Sequence, residues 1–341
     1  VLAHHVPPVD IPWIAHFQDQ ARHGVSLFFV ISGYIVMTLM LREVRRSGAV
    51  DVRSFLVRRI LRLWPLYYVV LLLEAVLVFG VQVYSPHNQA LFSDKLPCYA
   101  LYCSNWLATS GEGPFFVSWS LAVEEQFYLF LSLLLLVLRP SAVVAAFGAL
   151  LAVKILLVNA VQLNVAELPW RVLLSYSEAI LLGVLLAFLL NDRDWYGRFS
   201  RLTASRFVPA ACLLLLLASL VFGGLGNKSG PDALGFYLIC ALLVGACAVG
   251  NELPVIGGRA LSAVGLFSYG IYLLHMPVLS AVKRFTEDPV AVLVLTLAIV
   301  LPVAWASYRY FEEPIRRLGH RRPASADAST RLQAPPTNDD E

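Results

Sequence analysis

Two adjacent carboxylates, Glu124 and Glu125, stand in the otherwise apolar stretch Trp119-Ser-Leu-Ala-Val-Glu-Glu-Gln-Phe-Tyr128. A charge at the centre of a bilayer costs at least about 2.5–3.5 kcal/mol. If this stretch crosses a membrane, a double acid there calls for a role. Neighbouring helical positions point about 100° apart, so one acid can face a bundle interior while the other turns to headgroups or a second helix. Imidazoles are candidate partners: His4 and His5 near the start, and His275 in Ser268-Tyr-Gly-Ile-Tyr-Leu-Leu-His-Met-Pro277. A neutral imidazole can take the proton of an attacking hydroxyl, and a carboxylate can fix its tautomer. Each group also has a structural reading. The acids suit a polar cluster under a Trp/Tyr belt. Pro277 frees the carbonyl near residue 273, which His275 or Ser280 can satisfy.

A third group lies in Phe55-Leu-Val-Arg-Arg-Ile-Leu-Arg-Leu-Trp-Pro65. Arg58 and Arg62 are four apart and Arg59 and Arg62 three apart, so they share a helix side. Three guanidiniums on one side can grip phosphates with forked hydrogen bonds. The same residues suit anchoring to anionic lipid.

The elements that position these groups are membrane helices. Hydrophobic residues make up 58% of the 341 and charged residues 14%, against about one quarter charged in soluble domains. The fold class expected is an all-α polytopic bundle. Apolar runs of spanning length occur at 24–41, 65–83, 119–138, 142–160, 172–190, 207–224, 234–250, 262–281 and 290–308. Residues before Pro7 read as a truncated stub of one more, making about ten. Numbered from that stub, alternate loops and the tail hold 19 of the 26 Lys and Arg, and the opposite set holds 6. The basic side, tail included, is therefore expected to face the cytoplasm. Residues 1–318 read as the membrane domain and 319–341, rich in Pro, Ala, Ser and Asp, as a disordered cytoplasmic tail.

Other classes fit less well. A net charge of +3 is too mild to point to nucleic acid. The histidines and cysteines lack metal-ligand spacing. Cys98 and Cys103 could bridge if their loop faces an oxidising compartment. Lys154 lies inside a span and could pair with Glu74 or Glu178. A carrier of a small polar solute shares the gross features, but no internal repeat is evident.

Five stretches together resemble the acyltransferase-3 family of multi-spanning membrane acyltransferases: Gly24-Val-Ser-Leu-Phe-Phe-Val-Ile-Ser-Gly-Tyr34, Phe55 to Pro65, Trp119 to Tyr128, Ser268 to Pro277, and Ser307-Tyr-Arg-Tyr-Phe-Glu-Glu-Pro314. They occur in the family's order over 1–318. The resemblance implies transfer of an acyl group, commonly acetyl, from cytoplasmic acyl-CoA to a hydroxyl of a carbohydrate-type acceptor, in a lipid bilayer and by family in a prokaryotic plasma membrane. His4 best matches the family's first-helix histidine, with His5 as the adjacent alternative; the Arg that the family places before it would precede Val1. Ser26 stands where the family often has an acid, whereas Ser32 and Gly33 match.

The expected roles follow. His4 or His5 is the base or an acyl relay, and Glu124 its orienter or a contact to acceptor hydroxyls. Arg58, Arg59 and Arg62 hold the phosphates of coenzyme A. Ser32, Trp119, Glu125, Tyr269 and His275 give support. Asn105 and Trp106, in the outer connection 84–118, could meet sugar rings.

Overall fold

The computed structural model describes residues 1–9, 11–107, 112–160, 177–205, 207–222, 231–250 and 258–319. Among them the regular structure is all helical. The helices are α1 (Leu2–His5), α2 (Pro12–Gln20), α3 (Gly24–Ser47), α4 (Val52–Ala75), α5 (Pro86–Ala100), α6 (Ser118–Val137), α7 (Pro140–Ala160), α8 (Ser177–Asn191), α9 (Arg193–Leu202), α10 (Phe207–Phe222), α11 (Pro231–Ala248), α12 (Arg259–Leu266), α13 (Ser268–Val282), α14 (Pro289–Ser307) and α15 (Glu313–Leu318). The expected tail lies, from residue 320 onward, outside the described residues.

Among the described residues, four helical stretches are long and apolar enough to cross a membrane: Ile14–Ser47, Val52–Gly80, Ser118–Val137 and Pro289–Leu318. Counting α9 and α10, bent by 74°, as one broken span gives five. Pro140–Leu156, Glu178–Asn191, Leu234–Ala248 and Ser268–Val282 are apolar but shorter. The count of ten is thus not reached by length and hydropathy. One reason is local: the expected span 262–281 breaks at Phe267 (φ −111°, ψ 17°), which ends α12 and opens α13. Two segments read as connections are helical. Pro12 starts α2, which runs through a 3₁₀ turn into α3; Pro86 starts α5, where Ser85 accepts from the Asn88 amide. Proline suits a first helical turn because its missing N–H would have no partner there.

The closest crossing joins α3 to α8. A Cβ on Gly33 would lie 2.1 Å from the Ile180 carbonyl oxygen, and one on Gly183 2.2 Å from that of Val30. The backbones touch, which only glycine permits, and small residues play this part widely in membrane helices. Phe29, Val30, Met37 and Met40 fill the surrounding core with Ile180 and Val184. The ends of α3 and α4 are set by local chemistry. Gly48 takes the left-handed conformation (φ +79°) and returns its amide to Val44, and Asp51 caps α4 by accepting from Ser54.

Lys154 pairs with Glu178 at 2.7 Å, tying α7 to α8. Glu74 takes no part in that pair; it is fully buried and accepts from the Tyr84 hydroxyl at 2.8 Å. Cys98 and Cys103 are free thiols, with the Cys103 amide on the Cys98 carbonyl.

Gly33→Ala should force α3 from α8 and destabilise the detergent-solubilised protein by at least about 1–3 kcal/mol, the scale of core overpacking. Gly148→Ala, where nothing lies within 4 Å, is the control. Thermal melts followed by size-exclusion chromatography read both.

Candidate active site

Docking through Gly33 turns the preceding residue, Ser32, toward α6. Its hydroxyl donates to Glu124 Oε1 at 2.6 Å and meets the Tyr128 hydroxyl at 2.6 Å. Tyr128, one turn beyond Glu124, donates to the same carboxylate oxygen. All three side chains are buried. The Arg59 guanidinium sits over the Tyr128 ring at 4.7 Å and the Phe55 ring at 5.5 Å. Arg59 and Arg62 are the cations facing Glu124, and Arg62 also faces Glu312. Arg58 turns away, with Glu43 at 3.9 Å. The three arginines therefore divide by partner: Arg59 packs on the Tyr128 ring, the exposed Arg62 lies within reach of the charges on Glu124 and Glu312, and Arg58 turns to Glu43.

Glu312 was legible only as part of the Ser307–Pro314 motif. A π-helical turn, Tyr308–Glu312, continues α14 and rotates this acid inward. Its Oε1 accepts from Ser307 at 3.0 Å and lies over Gly270, where a Cβ would meet it at 3.3 Å. Such turns recur at functional sites, and nothing in residue spacing announces one. Beside Gly270, the Tyr269 hydroxyl donates to the Leu63 carbonyl at 2.5 Å, joining α13 to α4.

The imidazoles form a second cluster. His5 has ring centroids at 4.9 Å from His4, 5.6 Å from His275 and 5.2 Å from Phe116. His4 Nδ1 bonds the Gln18 carbonyl at 3.1 Å. A carbonyl only accepts, so Nδ1 carries the hydrogen and neutral His4 presents Nε2 as its lone pair. Gln18 also ties down the connection to α2, accepting from the Val9 amide and donating to the Pro7 carbonyl. Lys283 donates to the His5 carbonyl at 2.7 Å, pinning α1 against α13. His275 Nδ1 lies 2.5 Å from the Tyr272 carbonyl, one residue before the carbonyl that Pro277 was expected to free. Its Nε2 is buried without a hydrogen-bond partner among the described residues.

The expected His4–Glu124 hydrogen bond is not made. His4 is held by a backbone carbonyl, and Glu124 by Ser32 and Tyr128. The clusters are linked instead along α13, where Tyr269, Tyr272 and His275 recur every three residues. The Tyr272 hydroxyl bonds Ser120 (2.6 Å) and donates to the Val117 carbonyl (3.0 Å). Trp119 packs on Phe29 at 6.2 Å. Glu125 accepts from Trp64 Nε1 at 3.3 Å. Gln126 engages both Asn105 and Trp106; Asn105 is buried by this, whereas Trp106 stays 56% exposed. Among the described residues no three His, Cys, Asp or Glu side chains converge as for a metal.

A family model described as an acyltransferase domain matches residues 1–309. The chain belongs to the acyltransferase-3 family. Two relatives named O-acetyltransferase OatA, from Staphylococcus aureus strains NCTC 8325 / PS 47 and COL, are each 27% identical over 323 residues, covering 87% of this chain and 53% of theirs. The chain spans about half the length of the curated relatives it matches. No solved structure matches it. Membership sets the chain among membrane acyltransferases, apart from the solute carriers whose gross features it shares.

Ser32→Ala leaves the buried Glu124 one donor short. It should cost about 1–3 kcal/mol of stability, read as a lowered melting temperature, whereas Ser54→Ala on the exposed α4 cap should cost less.

Proposed function

We propose that this acyltransferase moves an acetyl group from cytoplasmic acetyl-CoA to a carbohydrate hydroxyl on the opposite side of the membrane. The observation that carries this is the pair of clusters on one bundle: guanidiniums with a buried acid at one end, and imidazoles with a fixed lone pair at the other. Arg59 and Arg62 suit the phosphates of coenzyme A, with Arg58 at the rim. The excess of Lys and Arg in the loops on that side supports a cytoplasmic donor entrance and tail. The relatives' names carry O-acetylation, and their bacterial source favours a plasma membrane and an envelope glycan as acceptor.

His4 is the proposed base, its Nε2 left as acceptor by the Gln18 carbonyl; His5, edge-on beside it, is the alternative and the candidate acyl relay. The acceptor oxygen attacks the thioester carbon while its proton passes to the imidazole. The C–O bond forms, the C–S bond breaks, and the imidazolium returns the proton to the departing sulfur, giving ester and free CoA thiol. Glu124 serves the donor end by holding Ser32 and balancing Arg59 and Arg62, not by orienting the histidine. His275 and Trp119 shape the imidazole end; Ser32, Glu125 and Tyr269 shape the path.

Purified full-length protein is given radiolabelled acetyl-CoA and an envelope glycan fraction. His4→Ala or His5→Ala should lower kcat by about 10²–10⁴, the range for general-base removal. Arg59→Gln with Arg62→Gln should raise KM for acetyl-CoA. Undiminished transfer in the His4→Ala, His5→Ala double variant would discard the base assignment.

A further inference from the structure

Near the guanidinium cluster lie two buried polar atoms that the described residues leave bare. Glu125 Oε2 accepts from Trp64 Nε1, but Glu125 Oε1 is buried with no hydrogen-bond partner among the described residues. The Tyr102 hydroxyl is likewise buried and has no partner among the described residues. The same indole joins them, because Tyr102 stacks on Trp64 at 5.6 Å and on Tyr67 at 4.0 Å. Tyr102 is held there at φ +53°, in the left-handed region that favours glycine. Such strain persists only where the surroundings over-determine it, and it concentrates at ligand sites. A buried acceptor and a buried hydroxyl left empty are also costly. Together these atoms offer one acceptor and one donor against an aromatic wall.

We propose that Glu125 Oε1 and the Tyr102 hydroxyl form a two-point subsite for a secondary amide, the repeating group of the pantetheine arm of the acyl donor. The amide N–H donates to Glu125 and its carbonyl accepts from Tyr102, while Trp64 and Tyr67 flank the methylenes. This rests on the coenzyme A reading of the previous subsection. Position supports it: Glu125 adjoins Glu124 at the guanidinium end, and Tyr269 of α13, which feels the Glu125 charge, lies six residues or about 9 Å along the helix from His275. An arm threaded here carries its thioester toward the imidazoles while its nucleotide stays with Arg59 and Arg62.

The test uses the purified full chain and equilibrium dialysis of two radiolabelled probes, acetyl-pantetheine and the adenosine bisphosphate half of coenzyme A. Tyr102→Phe deletes one oxygen and keeps the stack. It should weaken acetyl-pantetheine by about threefold to tenfold, leave the nucleotide half unchanged, and leave the ligand-free melting temperature equal or higher. Glu125→Gln should also weaken acetyl-pantetheine selectively. Unchanged arm binding in both variants overturns the subsite. So does a lowered ligand-free melting temperature in Tyr102→Phe, which would mean that the hydroxyl already has a partner. Wild-type protein that binds neither probe removes the coenzyme A reading itself, a result distinct from the other two.

Discussion

The contact on which the interior depends is the one between two peptide backbones. Gly33 and Gly183 bring α3 and α8 together with no side chain between them. Lipid tails are as apolar as leucine, so helices in a bilayer gain little from hydrophobic burial and must gain from close packing. A helix held by backbone contact has little freedom to rotate. Ser32, one residue before Gly33 and about 100° around the helix, is thereby aimed at α6. A Cβ at position 33 would move the serine as well as the helix.

What Ser32 meets explains the next level of organisation. Removing a carboxylate from water costs several kcal/mol unless donors and a cation compensate. Glu124 has two hydroxyl donors, one from its own helix four residues on and one from α3, and faces Arg59 and Arg62. The aromatic ring of Tyr128 carries the Arg59 guanidinium while its hydroxyl serves the acid. One tyrosine thus couples charge placement on α4 to charge burial on α6. Arg58, a single residue away, lies outside this arrangement and finds Glu43 instead. Spacing alone makes the three arginines equivalent, and their partners make them different.

Depth is also where sequence reading met its limit. Apolar runs fixed the main helices because a span must satisfy its own backbone, and Ser32, Glu124, Arg59 and Arg62 do converge. The pairing of His4 with Glu124 did not emerge because residue types and spacing say nothing of depth along a helix. Glu124 lies six residues inside the start of α6, about 9 Å along its axis, and that distance carries it to the guanidiniums. Lys154 could not be matched from sequence since Glu74 and Glu178 sit in equally apolar runs; the packing of α7 on α8 decides for Glu178. The inward turn of Glu312 follows from one π turn, which has no signature in hydropathy. The short α2 and α5 look like loops by composition, with proline at their starts as the available clue.

A carbonyl that orients an imidazole has chemical consequences different from those of a carboxylate. Both fix the tautomer, but the carbonyl carries no full charge with which to stabilise an imidazolium. On the proposed reaction, the cation that forms on His4 must therefore be balanced from another source, and the reacting centre itself provides one. The thioester oxygen becomes negative as the hydroxyl is deprotonated, so the two charges arise together, and they disappear together when the proton reaches sulfur. Such a pair needs no permanent anion beside the histidine. It needs close placement of the thioester and a site dry enough to strengthen the attraction. On this proposal the histidine half of that placement comes from α1, which is anchored through Gln18 and Lys283. The fixed acid can then remain at the far end, where guanidiniums require it.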